Sequence, residues 1–168
     1  TFRRDASSRF HKDNRWGNFW SLGGAWLISK EKFFNVNWID ELKIKASYGQ
    51  QGNDNIGSFR YATTYSIENS NDQVALVPSA LGNKDISWET VGTFNAGVEF
   101  SMFKGRLNGG LEVYSKKTTD MLLNYPMALS TGFSGYDANV GDMRNSGVEF
   151  EIKGTPVRFD DFEWNVTF

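Results

Sequence analysis

Residues 88–117 read WETVGTFNAGVEFSMFKGRLNGGLEVYSKK, and the alternation inside this stretch decides the fold. Every second residue from Trp88, through Phe94, Ala96, Val98 and Phe100 to Met102, belongs to a mostly apolar set. The interleaved residues, among them Glu89, Thr93, Asn95, Glu99 and Ser101, are mostly polar. Period-2 alternation of this kind marks a strand with two different surroundings. A tight turn at Lys104-Gly105 sends the chain back. Centred between those residues, it sets Met102 opposite Leu107, Phe100 opposite Gly109, Val98 opposite Leu111 and Ala96 opposite Val113. The two apolar sides then coincide, which an even-numbered loop allows and an odd one does not. The stretch is a long, well-registered β-hairpin, with Glu99 and Glu112 on its polar side.

Composition agrees with long strands ending in Gly, Asn and Asp loops. Gly numbers 17 and aromatics reach 15%, whereas Pro is only 3 and Cys 0. Without cysteine there is neither a disulfide framework nor a thiolate metal site. A net charge of −2 with no basic block gives no reason to expect nucleic acid. No run of eighteen apolar residues offers a transmembrane helix, but a transmembrane barrel needs none, because only alternate residues meet lipid. The chain opens on Thr1 in what reads as a strand, and the expectation is a piece of something larger.

Working outward, residues 1–4 end a strand and DASSRFHKDNR (5–15) is a polar loop. A second strand runs from Trp16 to about Ile28. Trp16 and Trp26 stand ten residues apart, roughly 33 Å along a strand at about 3.3 Å per residue. Tilted by about 45°, that covers roughly 23 Å, close to the ~25 Å between the aromatic girdles of an outer-membrane barrel. Trp88 and Phe100, twelve residues apart, repeat the pattern at a similar span. Residues 29–41 break the alternation and suit a short helical turn capped by Ser29. ELKIKASYGQQG (41–52) is a third strand, with Lys43 and Lys45 on its polar side, and QQGNDNIG (50–57) a loop. FRYATTYSI (59–67) is a further strand, and 68–86 a long irregular loop. Beyond the hairpin, 121–129 is extended and STGFSGYDANVGDMRN (130–145) is loop. Residues 146–154 alternate cleanly, TPVRFDD (155–161) turns the chain, and Phe162, Trp164, Val166 and Phe168 form the apolar side of the last strand. Short and long connections alternate strictly. The fold class is therefore all-β, a segment of a large antiparallel up-and-down transmembrane β-barrel with short periplasmic turns and long extracellular loops.

Four spaced stretches resemble a known family: RRDASSRF with RWGNFWSLGGAW downstream, LKIKASYGQQGN, ISWET, and NVGDMRNSGVE. They are similar to segments of SusC/RagA-like TonB-dependent outer-membrane transporters, in the same order and over essentially the whole chain. His11-Lys12 depart from the pattern, where a Gly usually follows the Phe. The resemblance implies that 1–168 is part of one barrel domain of about 22 strands with a plugged lumen. It implies that the plug, the TonB-contacting segment and the remaining strands lie outside the chain. It further implies import of oligosaccharides or peptides across the outer membrane of a Gram-negative bacterium, with outer-membrane lipid, a SusD-like lipoprotein lid and the TonB complex as partners. The alternative from another class is a soluble carbohydrate-binding β-sandwich, with strands of about 5–6 residues.

No reaction chemistry stands out. Glu149 and Glu151, two apart on one strand side, read as a polar lumen wall rather than as a glycosidase pair. His11 is the single histidine and sits in a loop with no evident triad partner. Asp137, Asn139 and Asp142 lack regular calcium-loop spacing, and Gly132, Gly135 and Gly141 follow no strand-to-helix pattern. No catalytic, metal or cofactor residue is assigned. The loop aromatics Tyr65, Phe133 and Tyr136 are the candidate contacts to substrate or lid. The Gly and Asn residues of NVGDMRNSG are turn formers, with Gly supplying positive φ.

Overall fold

The computed structural model describes residues 1–70, 73–159 and 162–168. Alternating sequence becomes strand throughout. In chain order the strands are β1 (Phe2–Ala6), β2 (Trp16–Leu27), β3 (Ile39–Asn53), β4 (Thr64–Ser70), β5 (Gln73–Ala80) and β6 (Glu89–Met102). They continue as β7 (Leu107–Thr119), β8 (Leu122–Pro126), β9 (Gly135–Asn139), β10 (Met143–Phe159) and β11 (Phe162–Thr167). Seven of them form one sheet in the order β1-β2-β3-β6-β7-β10-β11, while β4-β5 and β8-β9 form two separate hairpins. Sheet order thus follows chain order, the up-and-down arrangement expected. The pairs β1–β2, β2–β3 and β10–β11 are antiparallel.

The central hairpin is the one the alternation describes. Residues 103–106 connect β6 to β7, and Lys104 and Gly105 take φ values of 60° and 77°. Two consecutive positive φ values are the mark of a type I′ turn, whose twist matches that of the flanking strands. Phe103 shares the left-handed region at 57°. A Cβ at Gly97 would touch the Leu111 carbonyl and Glu112 Cα, and one at Gly110 the Val98 carbonyl. Those approaches agree with Val98 facing Leu111.

Contacts divide the chain into two compact units. The first comprises Thr1–Trp20, Gln50–Gly92 and Lys117–Arg144 and holds the long connections. Among the described residues the buried apolar side chains are Phe10, Phe19, Ile86, Val91 and Ala138, all in this unit. Its centre is aromatic: the Trp88 ring lies 5.4 Å from both Phe10 and Phe19. A Cβ at Gly17 would stand 2.5 Å from the Phe19 ring, and one at Gly52 would overlap it. Two glycines therefore make room for that ring.

The second unit comprises Ser21–Gly49, Thr93–Lys116 and Asn145–Phe168. Its apolar side is open: Leu22, Trp26, Ile44, Phe94, Val148, Phe150 and Trp164 are all exposed, Val148 at 67%. β2, β3, β6, β7 and β10 run 12, 15, 14, 13 and 17 residues. A β-sandwich would bury this side and use shorter strands, so that alternative is set aside.

Several expectations are corrected. Trp88 precedes β6, escapes its alternation, and packs in the aromatic centre with its Nε1 donating to the Arg15 carbonyl at 3.0 Å. It is no girdle residue. Ser29 sits inside a 3₁₀ turn, Ile28–Lys30, whose N-cap is Leu27, and makes no cap hydrogen bond. The 5–15 stretch is no mere polar loop, because Phe10 is wholly buried and Ser7 nearly so. β3 continues through Gln50 to Asn53, and the strand expected at 59–67 begins only at Thr64. The segments expected to be irregular, within 68–86 and 130–145, carry β5 and β9. β10 passes Pro156 with a register shift between Gly154 and Val157, a bulge where proline is tolerated. The remainder of the expected turn, Asp160-Asp161, and the Asn71-Asp72 part of the expected loop lie outside the described residues.

Candidate functional site

In the second unit the polar side of the sheet is an ion-paired wall. β3 presents Lys43 and Lys45, β6 presents Glu99, and β7 presents Glu112. Lys45 Nζ lies 2.9 Å from Glu99 Oε1 and 2.8 Å from Glu112 Oε2, and Lys43 Nζ lies 3.0 Å from Glu99 Oε2. One lysine thereby bridges carboxylates on two strands. Gly97 makes this possible, since a Cβ there would stand 3.2 Å from Lys45 Cε. Beside the bridge, Gly109 and Gly110 leave a hollow of about 470 Å³ with Glu149, Glu151 and Lys153 at its edge. Among the described residues no ion pair involves Glu149 or Glu151. The wall presents fixed charge and hydrogen-bonding capacity.

Small side chains continue that surface. Ser21, Gly23 and Ala25 of β2 pair with Gly49, Ser47 and Lys45 of β3. A Cβ on Gly23 would crowd Ser47 at 3.3 Å, and one on Gly49 would crowd Ser21 at 3.2 Å.

In the first unit, hydrogen bonds tie the long connections together. Ser7 Oγ donates to Asp54 Oδ2 at 2.7 Å, and Arg9 Nη1 donates to the Asp54 carbonyl at 2.8 Å. Asn139 Oδ1 accepts from the Ser87 N–H at 2.8 Å, while its Nδ2 donates to the Ser87 and Asp120 carbonyls, each at 2.9 Å. An asparagine amide here does the work of a strand pair. Glu89 accepts from Asn53 Nδ2 at 3.0 Å and from the Leu122 N–H at 3.1 Å. Arg60 Nε pairs with Asp137 Oδ2 at 3.2 Å. Residues distant in sequence are thus preorganised on one body.

The three candidate aromatics fall on two hairpins. Tyr65 lies on β4, exposed, on the same side as Ile67, Leu76 and Val74, which are also exposed. Tyr136 lies on β9, half-buried, paired with Tyr125 of β8 at a ring distance of 6.0 Å. Phe133 is half-buried in the connection before β9. The rings of Phe133 and Tyr136 share a hairpin, and Tyr65 belongs to the other. The remaining candidates are engaged locally: His11 Nδ1 contacts Asp13 Oδ2 at 3.1 Å, and Asp142 pairs with Lys117 at 3.2 Å. Of the Gly and Asn residues of NVGDMRNSG expected to form turns, Gly141 takes a positive φ of 82°, but Asn139 ends β9 and Asn145 and Gly147 lie within β10. Sequence placed Lys43, Lys45, Glu99 and Glu112 on polar sides but did not pair them, because the β3–β6 register carries no local signal. The pairing of Arg60 with Asp137 had no signal in the sequence.

Comparison with known proteins places this geometry. The profile of the family described as TonB-dependent receptor-like, β-barrel, matches residues 1–168. TonB-dependent receptor P39 of Formosa agariphila is 39% identical over all of this chain and 16% of its own length. TonB-dependent receptor SusC of Bacteroides thetaiotaomicron is 37% identical over all of this chain and 18% of its own length. The chain thus spans under a fifth of these relatives. The structure of the RagAB peptide importer in its closed-closed state superposes with a TM-score of 0.90 at 36% identity, over 99% of this chain and 18% of that one. The siderophore receptor PirA of Pseudomonas aeruginosa, at 13% identity and a TM-score of 0.51 over 94% of this chain and 28% of that one, shares the fold alone.

Proposed function

The chain belongs to the TonB-dependent receptor-like β-barrel family, and on that premise we propose that it forms part of the barrel wall of an outer-membrane importer. Its relatives are receptors and transporters, not enzymes. The observation that carries the reading is the two-sided sheet of the second unit. Its apolar side is exposed from Leu22 to Trp164, and its polar side holds the Lys43–Glu99–Lys45–Glu112 network. An exposed apolar side costs free energy in water, at roughly 25 cal/mol per Å², and none against acyl chains. The apolar side therefore meets outer-membrane lipid, the polar side faces the lumen, and the Lys104-Gly105 turn lies at the periplasmic rim. The missing length of the relatives leaves room for a plug, a TonB-contacting segment and the remaining strands.

The substrate is an oligosaccharide or a peptide, taken up with a SusD-like lipoprotein lid and energised through TonB. The likeness to SusC and to the RagAB importer supports this assignment. Tyr65, Phe133 and Tyr136 contact substrate or lid. The test uses the complete protein in its own cells. Uptake of labelled oligosaccharides or peptides should require the protein and stop when the proton gradient is collapsed. Tyr65→Ala, Phe133→Ala and Tyr136→Ala should each lower substrate affinity or lipoprotein co-purification by about three- to tenfold, as loss of an aromatic contact does. Uptake that persists without the protein sinks the importer reading.

A further inference from the structure

We propose that a hollow beside Phe59 is a saccharide-binding subsite, a proposal that rests on the importer reading and names its substrate class. The connection between β3 and β4 carries Phe59 at a φ of 62°. Bulky residues enter that left-handed region only when the surroundings enforce it, and such outliers gather at binding sites. Here the ring gains no shelter in return, since Phe59 is 62% exposed. Tyr61 supports it at a ring distance of 6.3 Å, and Tyr61 in turn meets the His11 imidazole edge-on at 5.9 Å. The backbone is held in a strained form that presents an aromatic ring to solvent.

The hollow it borders has a volume of about 430 Å³. Ser58, Arg60, Thr64 and Ser79 are among the residues that line it. The Arg60 guanidinium is fixed in place. A Cβ at Gly57 would stand 2.7 Å from Arg60 Nε and 3.2 Å from Nη2, so only glycine lets it lie there. Its Nε pairs with Asp137 Oδ2 at 3.2 Å. Asp137 is held in turn by Asn124 Nδ2 on its carboxylate and Asn83 Nδ2 on its carbonyl, each at 3.1 Å.

The Arg60 charge is paired with Asp137, so the hollow is lined by polar residues without net charge. A charged peptide terminus or side chain would lose its hydration there and meet no uncompensated counter-charge among the lining residues. An apolar side chain would find only Phe59 and Ala80 as apolar wall. A pyranose ring fits both features. Its C–H face lies on an aromatic ring, and its hydroxyls exchange hydrogen bonds with Arg60 and the three hydroxyl side chains.

The test is calorimetric titration of the complete protein in detergent with maltoheptaose, cellohexaose, xylohexaose and a mixture of hexapeptides. The same probes are offered to energised cells. The wild type should bind at least one saccharide. Phe59→Ala should weaken that binding by about tenfold, Arg60→Ala by a similar factor, and Phe59→Trp by less than about threefold. Equal affinity in wild type, Phe59→Ala and Arg60→Ala overturns the subsite and leaves the importer standing. A wild type that binds the peptides but none of the saccharides overturns the saccharide assignment and again leaves the importer standing. If neither class binds and neither is taken up, the importer reading falls and the subsite with it.

Discussion

Glycine at position 97 shows how a single missing side chain sets the polar wall. A Cβ there would lie 3.0 Å from the Leu111 carbonyl and 3.2 Å from Lys45 Cε, so any larger residue displaces the lysine that joins Glu99 to Glu112. Gly97→Val should destabilise the complete barrel by about 1–3 kcal/mol, the usual range for overpacking. Gly24, also in a strand, has nothing within 4 Å of its would-be Cβ. Gly24→Val should stay within about 0.5 kcal/mol of wild type. Urea unfolding in liposomes measures both, and equal losses at the two positions would remove Gly97 from its role. At this scale the sequence was legible where alternation governs and illegible where it ends. Val148 and Phe150 point to the open side as their parity requires, while Trp88, one residue before β6, turns into the Phe10–Phe19 centre instead. Phe10 itself sits in a stretch whose other residues are polar, and nothing local announces that it is fully buried.

Strands carry the next scale. Along β10 the residues Val148 and Phe150 alternate with Glu149 and Glu151, and the proposed surroundings differ accordingly. Val148→Arg should cost about 2–4 kcal/mol if it lies near the bilayer midplane, falling to about 0–1 near an interface. Glu149→Arg, on the proposed lumen side, should cost well under 1 kcal/mol. Folding titrations into liposomes separate the two, and an equal cost would deny that β10 has a lipid side. The long sheet strands β2, β3, β6 and β10 were readable because one side of each is mostly apolar over many residues. In the hairpins β4–β5 and β8–β9, β4 and β8 fall on stretches expected to be extended, at 59–67 and 121–129, whereas β5 and β9 fall on stretches expected to be loop. β4 interleaves Tyr65 and Ile67 with Ser66 and Glu68, but the sequence reading started it too early and then let Glu68–Ser70 and all of β5 pass as loop. Pro78 in β5 and Pro126 in β8 carry a residue type that argues against strands, although short hairpin strands outside the main sheet accept it. Pro156 misled in the same way until the bulge near it is taken into account.

At the scale of the whole molecule, the relatives extend more than five times as far as this chain. Function at that scale rests on one physical claim, that the apolar side of the sheet meets lipid while the ion-paired side faces a polar lumen. Length, composition and alternation carried the reader to a barrel wall. Substrate identity was out of reach, because the proposed subsite joins the neighbours Phe59 and Arg60 to the distant Asp137, a pairing made only through long connections. The most direct measurement places a nitroxide at each position from 146 to 153, one at a time through Ser146→Cys, Gly147→Cys, Val148→Cys and so on, in the complete protein freed of other cysteines and reconstituted in liposomes. Collision with molecular oxygen reports lipid, and collision with a water-soluble nickel chelate reports aqueous space. Oxygen accessibility should peak at 148, 150 and 152 and nickel accessibility at 147, 149, 151 and 153. A profile without that period-2 alternation, or one with nickel peaking at 148 and 150, would contradict the account.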